Sequence, residues 1–92
     1  LNPTSAETNY NLANIYRNNG LFDKAIDHYK RVIMIKPDYA EAHFLLGLTY
    51  IQKGLESKAK REFEIALQLK PDLIAGSQDI ASQDLATSLP KK

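Results

Sequence analysis

Residues 20–38, GLFDKAIDHYKRVIMIKPD, and residues 54–72, GLESKAKREFEIALQLKPD, are two versions of one text set 34 positions apart. Gly20-Leu21 returns as Gly54-Leu55, Lys24-Ala25 as Lys58-Ala59, and Lys36-Pro37-Asp38 as Lys70-Pro71-Asp72. Working outward, Ala6-Glu7 returns as Ala40-Glu41, Leu12 as Leu46 and Tyr16 as Tyr50, while Pro3 stands one period before Pro37. A repeat period between about 20 and 50 residues is the mark of a stacked array, in which each unit buries its apolar face on the next. Such a chain works by offering a surface.

Within each period the apolar residues recur at helical spacing. Thr4-Ser5-Ala6-Glu7 has the form of a capping box, with a hydroxyl at the N-cap and a carboxylate three residues on. Leu12, Ile15 and Tyr16 then carry a helix to Asn18-Asn19-Gly20, where glycine supplies the positive φ that closes it. A second helix begins near Phe22, with Ala25, Ile26, Tyr29, Val32, Ile33 and Ile35 as its apolar stripe. It ends before Pro37, because the residue preceding proline is pushed out of the α region. Asp38 with Glu41 predicts the next cap, Leu45, Leu46 and Tyr50 the third helix, and Ala59, Phe63, Ala66, Leu67 and Leu69 the fourth. Short glycine connections between such helices force antiparallel hairpins. Ala13 and Gly47, like Ala25 and Ala59, fall at equivalent places, where small side chains let helix axes approach closely.

Composition bounds the function. At 92 residues the chain is one domain, near the lower limit at which a core holds without staples, and it has no cysteine to supply them. The net charge of +1 creates no strong field, so neither nucleic acid nor a membrane surface is an expected partner. Nor does any apolar run approach the roughly 20 residues of a membrane span. An enzyme fails on inventory. His28 and His43 lie on different helices with no Cys or Glu-x-x-His pair beside them, so packing or surface roles are expected and no metal. Gly20 and Gly54 close helices and do not cradle phosphate; no cofactor is expected. The pairs Lys30-Arg31 and Lys60-Arg61 are expected to face solvent, diluted by acids such as Glu62 and Glu64.

The combination resembles the tetratricopeptide repeat family. The family pattern of an aromatic, Leu-Gly, Tyr, small Ala, aromatic, Ala and closing Pro is met by Leu12-Ala13, Tyr16, Ala25, Tyr29 and Pro37. The second unit meets it with Leu46-Gly47, Tyr50, Ala59, Phe63, Ala66 and Pro71. Two departures stand out: the first aromatic is Asn9 in one unit and His43 in the other, and Val32 replaces one Ala. The resemblance implies an all-α fold of helix-turn-helix repeats, an alpha-alpha superhelix or solenoid. Its expected divisions are a preceding tail at 1–5, repeat one at 6–39, repeat two at 40–73, a capping helix at 74–88 and a flexible end at 89–92. Leu1-Asn2-Pro3 matches the tail of a preceding unit, so the chain reads as a piece of something longer, or as a processed or engineered form.

In this family the first helix of each unit lines a concave groove that takes extended peptides or partner helices. The groove positions map here to Glu7, Tyr10, Asn14 and Arg17, then to Glu41, Phe44, Leu48 and Ile51, with Ala75, Gln78, Ser82 and Leu85 in the cap. The expected function is a non-enzymatic protein-interaction scaffold. An apolar pocket at Phe44, Leu48 and Ile51 would hold the partner, and Tyr10, Asn14 and Arg17 would orient it. Plainer roles compete: the apolar three could pack under the cap through Ile80 and Leu85, and Asn14 could simply bond a neighbouring helix. The alternative function is a structural or self-assembling unit whose apolar face pairs with its own copy as a homo-oligomer. Some family members clamp terminal carboxylates with Lys, Asn, Asn, Lys and Arg. Asn11 and Asn14 match the asparagines, but the basic positions fall at Glu41 and Leu45, or at Ala75 and Asp79, which argues against that ligand.

Overall fold

A computed structural model describes residues 5–73; the expected tail before Ser5, the capping helix and the flexible end lie outside the described residues. Four α-helices follow in order: α1 Ala6–Asn18, α2 Phe22–Ile35, α3 Ala40–Gln52 and α4 Glu56–Leu69. The all-α repeat expectation is met in the described part. α1 pairs with α2 and α3 with α4 as two hairpins, and α2 also packs on α3 to join them.

Helix ends follow the punctuation of the sequence. Gly20 and Gly54 adopt φ of 78° and 80°, a region that only glycine enters without cost. Beyond each glycine the chain folds back: Leu21 N–H donates to the Tyr16 carbonyl at 2.8 Å, and Leu55 N–H to Tyr50 at 2.8 Å. These six-to-one bonds satisfy carbonyls that the helix leaves open. Lys36, before Pro37, takes the extended φ of −132° that proline demands and ends α2.

The two expected caps are corrected. The N-cap of α1 is Ser5 and not Thr4, since the Ser5 hydroxyl accepts from Thr8 N–H at 2.9 Å, with Thr8 where the box would need Glu7. Asp38 caps nothing: α3 starts after Tyr39, which makes no side-chain cap bond, because a turn closed by Tyr39 N–H on the Lys36 carbonyl at 3.0 Å leaves Asp38 one residue early.

The core runs through both hairpins. Ala13, Ala25, Tyr29, Leu46, Tyr50 and Ala59 are buried together, with Tyr16, Ile26, Ile33 and Phe63 packed around them. Small residues sit where helices approach most closely. A Cβ built on Gly47 would lie 2.6 Å from Phe63 Cε1, so glycine is what lets that ring approach α3 so closely. Four of the expected stripe residues are not buried: Ile15 is 54% exposed, and Ile35, Leu67 and Leu69 are also exposed. The buried or core-packed places on those helices go instead to Ala13 and Tyr16 in α1, to Ala25, Tyr29 and Val32 in α2, and to Ala59 and Ala66 in α4.

Candidate functional site

The groove positions of the first unit converge on one buried side chain. Tyr29, on α2, is fully buried. Its hydroxyl donates to Asn14 Oδ1 and accepts from Arg17 Nε at 3.3 Å. Tyr10 meets the same ring edge-on, with centroids 6.2 Å apart, and stacks on Tyr39 at 5.0 Å. Tyr10, Asn14 and Arg17 are therefore brought together, all half-buried on one side of α1. Asn14 does bond a neighbouring helix, as the plainer expectation held. Burial raises the pKa of the Tyr10, Tyr29 and Tyr39 phenols above the ordinary value, opposed at Tyr29 by the Arg17 hydrogen bond.

The second row is apolar. Phe44 lies against Phe63 with ring centroids 5.4 Å apart, Leu48 is half-buried, and Ile51 is 46% exposed. The aromatics at the equivalent places of α2 and α4 differ as well: the Tyr29 hydroxyl bonds Asn14 and Arg17, whereas the Phe63 ring lies against Phe44 and Gly47. At the other end of the face, Glu7 is exposed and Glu41 accepts from Lys70 Nζ at 3.0 Å. A hydrogen bond from its own backbone N–H, then the Lys70 bond, lowers the Glu41 pKa.

The departures from the family's first aromatic prove to be one device used twice. Asn9 is buried, donates from Nδ2 to the Ser5 carbonyl at 3.0 Å, and accepts from His28 Nδ1 at 2.9 Å. One period on, His43 Nδ1 donates to Glu62 Oε1 at 2.8 Å and Nε2 to the Pro37 carbonyl at 2.9 Å. Each unit thus ties its two helices with a polar pair in the same register. Both histidines are structural ties. Among the described residues no group of three or more His, Cys, Asp or Glu is placed to hold a metal.

The two ties are not identical: His28, besides bonding Asn9, stacks on Tyr16 at 5.3 Å, whereas Glu62, its equivalent, has no ring to stack on Tyr50. A cleft of about 300 Å³ stands in the second unit, lined by Tyr50, Ser57, Lys58, Arg61 and Glu62. None of these is a groove position. The Lys-Arg pairs are exposed, as expected.

Comparison with known proteins bears on this geometry. A family model described as TPR repeat matches residues 13–54, and one described as Tetratricopeptide repeat matches residues 40–73. Among solved structures, a crystal structure of MamA superposes with a TM-score of 0.78 at 35% identity, over 82% of this chain and 44% of that one. A second, titled as the crystal structure of MamA protein, gives 0.71 at 38% identity, over 78% of this chain and 39% of the other. The chain spans less than half the length of either neighbour. No curated protein matches it.

Proposed function

Because the chain belongs to the tetratricopeptide repeat family and is a protein-interaction scaffold in general kind, we propose that it binds a peptide or helix of a partner protein along the first-helix face. Phe44, Leu48 and Ile51 form the apolar seat, and Tyr10, Asn14 and Arg17 orient what sits there. One observation carries this reading: the two equivalent rows of one face differ in chemistry, polar beside apolar. Packing alone would not ask for that difference at half-exposed positions, whereas recognition would. Burying three such side chains contributes about 1.5 to 3 kcal/mol each, a meaningful part of a micromolar affinity.

The test is Leu48→Asp in a screen of displayed random linear peptides. Peptides selected on the parent protein are expected to weaken by at least about tenfold on the variant, since an apolar contact is lost and a charge is desolvated. Circular dichroism should remain native. Unchanged affinity would remove the groove reading.

A further inference from the structure

The cleft of the second unit is independent of the groove, and its charge is set by the tie beside it. Ser57, Lys58, Arg61 and Glu62 share one side of α4, since helix residues three and four apart are neighbours. Glu62 stands four places after Lys58, where a carboxylate can pair with that ammonium. It is engaged elsewhere: Oε1 takes the His43 Nδ1 hydrogen at 2.8 Å, and the carboxylate is largely buried. Among the described residues neither Lys58 nor Arg61 forms an ion pair, and Lys58 only lies over the Tyr50 ring, 5.8 Å from its centroid. Two like charges therefore line one cleft of about 300 Å³ with no carboxylate answering them. We propose that this cleft is an anion site and that its ligand is a phosphate monoester.

The donors differ in kind, which selects among anions. Arg61 offers a planar fork that takes two oxygens, Lys58 a compact charge on a flexible stem, and Ser57 a hydroxyl. A carboxylate has two oxygens in one plane, and the fork alone satisfies them. A phosphate monoester has three on a pyramid, enough for fork, ammonium and hydroxyl together. The volume of the cleft leaves room for the carbon part of the ester beside Tyr50. The first unit is an internal contrast. At the same register stand Tyr16, Asp23, Lys24, Asp27 and His28. There two acids flank Lys24, Asp23 holds Lys53 at 2.6 Å, and the His28 ring lies on Tyr16. The second unit exchanges both acids, for Ser57 and Arg61, and the charge of that side reverses. Ser57 and Arg61 are exposed, so packing does not dictate the exchange.

The experiment titrates the isotope-labelled whole chain with glycerol phosphate at constant ionic strength, at about pH 8 so that the ester is a dianion. Amide shifts at Ser57, Lys58 and Arg61 are expected to saturate with a dissociation constant on the order of a millimolar. Ser57→Asp with Arg61→Asp installs the acids of the first unit at exposed positions and should weaken binding at least about tenfold, with circular dichroism native. Arg61→Gln, which removes only the fork's charge, gives the same direction of change should the double variant lose helix. Acetate saturating the same shifts as tightly as glycerol phosphate overturns the choice of phosphate. No saturation, binding that both variants keep, or shifts confined to α1 and α3 overturns the cleft as a site and leaves the groove reading standing. A further arm separates the sources of the ester. A phosphoserine peptide binding more tightly than glycerol phosphate, with its unphosphorylated form silent at the cleft, supports a phosphorylated partner protein. Equal binding of peptide and glycerol phosphate supports a free small ester.

Discussion

One hydroxyl and one missing methyl decide much at the residue scale. Gly47 is the missing methyl: replacing it with Ala sets a Cβ 2.6 Å from Cε1 and 2.8 Å from Cδ1 of Phe63. Overpacking of this kind costs about 1 to 3 kcal/mol, against a gain of about 1 kcal/mol in helix propensity. Thermal unfolding of Gly47→Ala should therefore show a net loss of stability, partly recovered by adding Phe63→Leu. A stabilised single variant would contradict the close packing of that ring. The sequence made Gly47 legible as a packing residue, since Ala13 stands at the same place in the other unit. It did not make Tyr29 legible beyond packing. A Tyr facing a Phe at the same register was visible, but whether the hydroxyl meets solvent or partners depends on side-chain reach across two helices, which spacing does not encode.

At the scale of the element, ends and ties separate what sequence shows from what it hides. Gly20, Gly54 and Pro37 placed helix ends correctly because each acts on its own backbone torsion. The N-caps were misplaced because Thr4 and Ser5 offer the same hydroxyl at adjacent positions, and Asp38 competes with a turn set by Pro37. The ties were hidden altogether. His43 and Glu62 are 19 residues apart, as are Asn9 and His28, and neither pair forms a local motif. Their energetics should differ from surface pairs. Glu62→Ala leaves a largely buried imidazole donor without its partner and should cost about 1 to 3 kcal/mol by chemical denaturation. Asp23→Ala removes an ion pair to Lys53 whose carboxylate side chain is 82% exposed, and should change stability by less than about 0.5 kcal/mol. Equal costs for the two would show that the buried tie carries no special weight.

Over the whole molecule, the two hairpins are joined by α2 against α3 and by the stack of Tyr10 on Tyr39. That joint has a pH signature. Tyr10, Tyr29 and Tyr39 have folded pKa values raised above 10.0, mainly by burial. The stability linked to them is present below pH 10.0, and is lost as pH rises through the raised values, because the unfolded chain then gives up those protons first. A spectrophotometric titration of the five tyrosines should show a subset ionising late, in step with loss of helix. All five ionising together near pH 10 with the helices intact would contradict the buried joint. Self-association is tested at the same scale. The melting temperature should be independent of protein concentration, and a rise with concentration would hand the apolar row at Phe44, Leu48 and Ile51 to a second copy.

The most direct test of the scaffold reading is residue-level chemical-shift mapping of the isotope-labelled chain, titrated with a peptide selected on it. The predicted result is a set of perturbations along one side of α1 and α3, strongest at Tyr10, Asn14, Arg17, Phe44, Leu48 and Ile51. Perturbations centred instead on the cleft at Ser57, Lys58 and Arg61, with that face silent, would contradict it.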